Sequence, residues 1–420
     1  MNTINRIVLV GNGFDLAHDL PTRYENFINW YWEKWIRRLR LCYTNTDSDT
    51  LCTFTIHSKR NTWAYLCSII INPLSPPSGE YFYHYLKNNK EEVTITHSSF
   101  MHRICQSIEK KGWVDIENEY YHALNDEYHD NPEALNNEFN ILRDNLIEYL
   151  ALVQKMNIKA SVINQKLKHK ILAPIKENEI AINARPLFVK FVDSRISDID
   201  YWWNVSIYDK FESNTSKKNK ALIEFLKEYK DQIEHMGIDS IIGNNCIPNE
   251  LLYPNRLMLL NFNYTNTADL YIPRNEDNEY WFLINHIHGT LSDPNSIVFG
   301  YGDELDDNYQ GIVKLNNNEH LRYIKSIKYL EAQNYRNMLE FIESAPYQVY
   351  IMGHSCGNSD RTLLNTLFEH KNCISIKPFY HLRDNGTDNY LELIQNISRN
   401  FTDMKLMRDR VVNKMFCEPI

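Results

Sequence analysis

The stretch Ile7–Tyr24, IVLVGNGFDLAHDLPTRY, decides the fold. Ile7-Val8-Leu9-Val10 is an unbroken run of β-branched and apolar residues that ends abruptly in Gly11-Asn12-Gly13. Such a run reads as a strand buried on both faces of a parallel sheet, leading into a glycine turn. A helix is expected from Phe14. Glycines at that junction let a ligand approach the backbone with no Cβ in the way, and the N–H groups opening a helix suit a pyrophosphate. A nucleotide site at this first turn is the expectation; glycines that serve packing alone are its rival. The dehydrogenase fingerprint fails, because its third glycine would stand at Leu16, and no Lys-Ser/Thr pair follows to make a phosphate loop.

The chain of 420 residues is long enough for two domains, or for one domain with a large insertion. Lys+Arg 45 against Asp+Glu 54 gives a net charge of −9, which argues against general nucleic-acid binding. No apolar run approaches the roughly 18 residues that span a bilayer, and no secretory leader is recognisable. The 8 cysteines are scattered with no C-x-x-C pair, which argues against a zinc ribbon and a disulfide framework and suits reduced thiols in a cytoplasmic protein. No metal site is expected.

Beyond the first turn, helices are expected over 26–41, 98–110, 113–123, from about 130 to 172 as one helix or two, and over 217–235. Residues 44–58 read as a polar loop, 72–80 as a proline-rich break, and 187–192 as a short strand. The segment 26–254 is thus expected to be a mostly helical insertion. Strands return over 257–263, 280–288, 296–300, 347–352 and 373–376, with helices over 318–343 and 392–401. Several strands end in small or polar residues: Gly11-Asn12-Gly13, Asn261 and Asn263, His286 and His288, and Gly353-His354-Ser355. In an open parallel sheet, ligands bind outside the carboxyl ends of the strands, so these ends are expected to converge on one crevice.

The ordered set GNGFDLAHDLPTRY, WVDIENEY, LLNFNYTNT, HIHGT, IVFGYGDE and GHSCGNSD resembles the bacteriophage abortive-infection AbiH family. More remotely, the same set is similar to the sirtuin-type NAD-binding fold. Gly11 to Asp15 and the following Leu20 to Tyr24 resemble the sirtuin glycine turn and the segment after it. Phe262-Asn263-Tyr264-Thr265 falls on the Gln-Asn-x-Asp motif, and His288-Gly289 on the catalytic His-Gly. Gly353-His354-Ser355 resembles the Gly-x-Ser that holds the adenosine ribose. Thr265 stands where that motif has Asp, and Asp15 where it has Ser. The paired-cysteine zinc module is absent, which speaks against protein deacetylation. The resemblance implies an α/β, sirtuin-like doubly wound parallel sheet, built from residues 1–25 plus 255–420 around the insertion. It implies NAD as a substrate whose nicotinamide–ribose bond is hydrolysed, as sirtuin-like bacterial defence proteins do.

Cleaving that bond forms an oxocarbenium-like ribosyl cation, and the leaving nicotinamide departs neutral. The protein must position the ribose, orient a water and relay a proton. The resemblance gives these catalytic roles to Asn263 and His288, the imidazole being suited to proton relay near neutral pH. His286, two residues earlier on the expected strand, competes with His288, and Asn261 shares the face of Asn263. Gly11, Asn12 and Gly13 are expected at the pyrophosphate, Asp15 and Tyr24 toward the nicotinamide, and Ser355 and Asp360 at the adenosine end. Phe14, Pro21, Thr22, Thr265 and Gly353 complete the expected cofactor-binding set. Trp113 to Tyr120 reads as core packing, with an approach of Asp115 and Glu117 to the site from the insertion as the alternative.

Two other readings stand. Gly353-His354-Ser355-Cys356-Gly357 is a literal G-x-S-x-G after a strand, which would make Ser355 the nucleophile of a hydrolase, served by His370 or His381. Alternatively the pocket senses NAD or an ADP-ribose derivative without turnover. An NADase of this kind would deplete NAD in infected cells and must be held inactive otherwise; the insertion is the natural place for that control or for contacts with a second copy of the chain, and a phage-derived trigger or partner protein is expected.

Overall fold

The computed structural model describes residues 2–57, 62–70, 78–156, 163–206, 228–229, 231–242, 247–272 and 281–420. Its strands, among the described residues, are β1 (Asn5–Val10), β2 (Thr46–Ser48), β3 (Cys52–Ile56), β4 (Val93–His97), β5 (Leu257–Asn261), β6 (Phe282–His286), β7 (Tyr347–Met352) and β8 (Cys373–Phe379). Five of them form a parallel sheet in the order β6-β5-β1-β7-β8. The chain therefore steps outward from β1 through β5 to β6, returns to the other side of β1 as β7, and steps outward again to β8. Strand order reverses between β1 and β7, the place where open parallel sheets leave a crevice.

The alternation of side chains along β1 supplies both faces of the sheet. Ile7 and Leu9 join Met258, Leu260, Val349 and Ile351 against Phe341, Leu363, Leu367 and Ile397. Val8 and Val10 join Leu259, Tyr350 and Met352 against Phe14, Leu167, Ile171 and Tyr271. Apolar cover on both faces explains why the strand reads as an unbroken hydrophobic run. Val10 pairs with both Asn261 and Met352, so the turns after β1, β5 and β7 leave the sheet at one level.

The segment between β1 and β5 is largely helical, including Tyr24–Leu39, Ile116–Asn125, Pro132–Met156 and Gln165–Ile171. It departs from expectation at 44–58, where β2 and β3 join β4 in an antiparallel sheet. Cys52, Phe54 and Ile56 are buried while Thr53 and Thr55 are half-buried, a period-two pattern beneath the threonine-rich composition. Residues 187–192 are helical, inside Arg185–Ser206. Phe188, Phe191, Val192 and Ile196 recur at helical spacing and pack with Ile4 and Ile374. The break at 72–80 lies mostly outside the described residues, as does the first part of the helix expected over 217–235; 228–229 and 231–236 are helical.

Two more expectations fail for one reason. Residues 296–300 form no strand, and 318–343 is not one helix but short turns at Asn318–Leu321, Lys325–Lys328 and Tyr329–Glu331 before a helix at Asn334–Ser344. The two segments hold each other instead. Tyr301 N–H donates to Tyr323 O at 3.0 Å, and Lys325 N–H donates to Tyr301 O at 2.9 Å. Ile324 is extended between them, which breaks the helix. Among the described residues no helix is long and apolar enough to cross a membrane.

At the reversal of strand order, the turns after β1 and β7 touch backbone to backbone. Gly13 N–H donates to Gly353 O at 2.8 Å, and Gly11 N–H donates to Met352 O at 3.2 Å. A Cβ on Gly353 would stand 2.2 Å from the Phe14 nitrogen, and one on Gly11 would stand 2.5 Å from the His354 Cα. Gly353 also has φ +77. Gly353→Ala is expected to cost well over the ~1–2 kcal/mol of left-handed backbone alone, because backbone must move. Gly386→Ala, with φ +80 and open space around it, is expected to cost only that conformational amount. Chemical denaturation of the two variants checks the difference.

Candidate functional site

The strand ends surround a cavity of about 310 Å³. It receives Gly11, Asn12 and Asp15 from the first turn, Thr22 and Tyr24 from the loop after it, and Asn263 and Thr265 from the end of β5. His288 follows β6, and Gly353, Ser355 and Asp360 follow β7. Asp115 and Glu117 reach it from the helical segment. A second groove of about 770 Å³ adjoins it, sharing Asn12, Gly353, His354 and Ser355 and extending past Gly13 toward Asn389 and Glu392. The pair straddles the β1/β7 switch point.

Three expected site residues sit elsewhere. Phe14 is fully buried in the core against His18 and Tyr271, with ring centroids 5.0 and 5.2 Å away. Gly13 faces only the adjoining groove. Pro21 lines neither space; its carbonyl accepts a hydrogen bond from the Tyr149 hydroxyl. Asp360, expected at an adenosine end, lies instead with His288. The N–H groups of Gly11 and Gly13 are engaged by Met352 and Gly353, so packing claims both glycines.

Secondary structure places the two competing histidines differently. β6 ends at His286, so the strand alternation stops before His288. His286 Nδ1 meets Asn261 Nδ2 at 3.0 Å and its Nε2 lies 3.3 Å from Asp269, outside the cavity. Asn261 is a brace as well, its Nδ2 donating to Thr265 O at 3.1 Å and its Oδ1 accepting from Asn263 N–H at 3.1 Å. Asn263 donates its Nδ2 to Gly11 O at 3.0 Å, tying the end of β5 to the first turn.

His288 belongs to a buried charge network. Its Nε2 lies 3.2 Å from Asp360 Oδ1 and 3.1 Å from the Tyr329 hydroxyl. Asp360 Oδ1 also receives Lys325 Nζ at 2.8 Å, and its Oδ2 lies 3.4 Å from His354 Nε2. His354 Nδ1 accepts from Cys356 N–H at 3.0 Å, which places the ring proton on Nε2, toward Asp360. Lys325, 0 % exposed, reaches Glu117 Oε2 at 3.0 Å. Glu117 Oε1 accepts from Gly300 N–H at 3.0 Å.

The charges in this network are unequal, with two carboxyl groups, Asp360 and Glu117, on a single ammonium and Asp115 nearby. Burial works against the Asp360 anion, but Lys325 and His288 outweigh it and hold this carboxyl well below the usual range. Burial, with Asp360 and Asp115 nearby, pushes Glu117 up despite Lys325. Burial and the Lys325 charge lower His288, so the ring is neutral at pH 7. Lys325 itself is raised by its two carboxylate partners against the penalty of burial. Asp15 stands apart. It is 1 % exposed, its Oδ2 accepts from the Thr265 hydroxyl at 2.7 Å, and burial pushes its carboxyl up to about 6.

For the hydrolase reading, His381 and not His370 lines the groove that Ser355 lines. Ser355 is exposed, and no hydrogen bond joins its hydroxyl to a histidine among the described residues. The left-handed residues of the turn are Gly353, φ 77, and Cys356, φ 54, not Ser355. His370 stacks on Tyr347 at the opposite end of β7 and bonds Glu343. Among the described residues no group of three or more His, Cys, Asp or Glu is arranged to hold a metal ion.

The residues missed from sequence are Lys325, Tyr329 and His354. A lone lysine in Lys325-Ser326-Ile327-Lys328 carries no mark of burial, and His354 was legible only as part of the Gly353–Ser355 motif.

A family model described as "Bacteriophage abortive infection AbiH" matches residues 76–381. The match takes in the strand ends after β5, β6 and β7 together with Asp115, Glu117 and Lys325; Ile7–Tyr24 precedes it. No curated protein and no solved structure gives a significant match.

Lys325→Met leaves Asp360 and Glu117 buried without their cation, and a loss of ~3–5 kcal/mol is expected at pH 8. Both carboxyls then take folded pKa values above their unfolded ones. The variant's deficit therefore shrinks as pH falls toward 5 and grows as pH rises. Thermal unfolding at both pH values checks this; an equal deficit at each would assign the loss to packing.

Proposed function

Because the chain belongs to the bacteriophage abortive-infection AbiH family, we propose that its cavity cleaves the nicotinamide–ribose bond of NAD and so depletes the nucleotide in infected cells. One observation carries this reading: strand ends from four distant parts of the chain meet at the reversal of strand order, and they bring Asn263 and His288 into one cavity. The adjoining groove provides length for a dinucleotide, so that nicotinamide and its ribose occupy the cavity while adenosine follows Ser355 toward Asn389. This is a sirtuin-like use of a parallel sheet.

The departures from the sirtuin motifs support the same reading. Asp15 replaces Ser and Thr265 replaces Asp, and these two residues are hydrogen-bonded to each other. Hydroxyl and carboxylate have exchanged positions, and the carboxyl group stays at the cavity. His288, fixed by Asp360 and Tyr329, presents a neutral imidazole against the ribose. Asn263 holds a ribose hydroxyl or the water from the strand end. NAD is written here as substrate; its fit rests on a buried, unpartnered acceptor in the cavity wall, Asp15 Oδ1.

A sensor that binds NAD without turnover is the second reading, favoured by how fully Asp360 and Tyr329 occupy the Nε2 of His288. NAD content in cells overexpressing the chain separates the two. NAD is expected to fall with the native protein and to be spared by His288→Ala and by Asn263→Ala. Toxicity with NAD intact, relieved by the same variants, would favour the sensor. Relief by Ser355→Ala alone would return the hydrolase.

A further inference from the structure

Most carboxylates that line the cavity are spoken for. Asp360 holds Lys325, His288 and His354. Glu117 holds Gly300 N–H and Lys325. Asp115 caps the helix Ile116–Asn125 through Asn118 N–H at 3.1 Å. Asp15 differs: Oδ2 is anchored by Thr265, whose hydroxyl in turn accepts from Thr267 at 3.3 Å, while Oδ1 is buried with no hydrogen-bond partner. An orphaned carboxylate oxygen beside a cavity is costly unless something else fills it. At His288 the Nε2 faces both Asp360 and Tyr329, so of its two ring nitrogens Nδ1 is the one left to meet the ribose.

We propose that Asp15 is the general base of the reaction: its Oδ1 binds the attacking water and takes its proton, while His288 positions the ribose. The assignment rests on the NAD-cleaving reading above. The water oxygen forms a bond to the anomeric carbon of the ribose as the carbon–nitrogen bond to nicotinamide breaks. That bond's electron pair leaves on nicotinamide, which becomes neutral. The proton lost by the water goes to Asp15 and then to solvent, so the products are nicotinamide, ADP-ribose and one proton.

The surroundings suit this role. The groups acting on Asp15 are burial, the hydroxyls of Thr265 and Thr267 and the amide of Asn263, with no charged neighbour among them. His18, on the turn after it, is committed to Phe14 O and the Tyr271 hydroxyl, each at 2.8 Å. A carboxyl titrating at about 6 is ionised at neutral pH yet holds a proton far better than a free aspartate.

The test compares NAD loss in cells and in their lysates for the native chain, Asp15→Asn and His288→Ala. The expected result is NAD consumption by the native chain, at a rate rising with pH through about 6, and a loss of about 10²-fold or more in Asp15→Asn. Residual activity of Asp15→Asn should lack that acid limb, a change that a merely structural role would not produce. Consumption by Asp15→Asn at the native rate, or a residual rate with the native pH dependence, would overturn the assignment. If the native chain and both variants leave NAD untouched, the NAD-cleaving reading itself fails and the base assignment falls with it.

Discussion

The buried ammonium of Lys325 is the interaction on which the site depends. It lies in the irregular stretch between β6 and β7, is 0 % exposed, and bridges Asp360 beyond β7 to Glu117 in the helical segment. A charge so deeply buried persists only when paired and hydrogen-bonded. Both conditions require the helical segment to be docked on the sheet. Glu117 adds a second clamp by accepting from Gly300 N–H. The backbone pairing of Tyr301 with Tyr323 and Lys325 delivers the lysine to this place. The helix that composition favours over 318–343 is broken here, and the break is what positions the cation. Through Asp360 the same ammonium governs His288 and His354, so the imidazoles inherit their orientation from a contact between two parts of the chain.

A second constraint acts at the switch point. The turns after β1 and β7 approach so closely that a Cβ on Gly11, Gly13 or Gly353 would meet backbone within 2.2–2.7 Å. Sequence suggested these glycines for ligand access, but the structure uses them first to bring two strand ends together. The two roles are compatible in sequence and distinct in energy. Contact between the turns fixes the floor shared by the cavity and its neighbouring groove, while Asn263, bonded to Gly11 O, ties the end of β5 into the same arrangement. Three strand ends are thereby held by backbone and amide hydrogen bonds with few side-chain degrees of freedom, as a preorganised site requires.

The parts legible in sequence were those with a local signature. The apolar run into Gly11-Asn12-Gly13, the polar ends of β5 and β6, and Gly353-His354-Ser355 each change character within a few residues, and the cavity contains residues from all of them. Phe14 was misread because a residue beside a glycine turn can face the sheet as readily as the ligand, and here it fills the core against Tyr271. Thr53 and Thr55 hid the alternation of β3, and Phe188 to Val192 looked like a strand because the window was shorter than one helical repeat pattern. Lys325 was beyond reach. Its burial follows from pairing with residues 208 and 35 positions away, and nothing local distinguishes it from the half-buried Lys328. His286 and His288 were separable only by knowing where β6 stops.

Asp15 shows how function and stability oppose each other in this fold. Lifting its carboxyl from the ordinary 3.8 to about 6 corresponds to about 3 kcal/mol of unfavourable ionisation at neutral pH. Because the folded value lies above the unfolded one, the native state is favoured below the unfolded value and loses that advantage as pH rises through 6. An asparagine would fit the same space and accept the Thr265 hydrogen bond without this penalty. A chain selected for stability alone would have little reason to keep an ionisable group with one oxygen orphaned in its cavity wall. A carboxylate kept against that gradient, anchored on one oxygen and buried without a partner on the other, fits the proton abstraction proposed for it. The same cost argues for close packing around it: hydroxyls of Thr265 and Thr267, not cations, hold the anion, so its proton affinity stays near neutral. Lys325 does the opposite for Asp360, which is kept ionised and inert. Two buried aspartates in one cavity are thus driven apart by their partners, one held ionised among imidazoles and one left with a proton affinity near neutral.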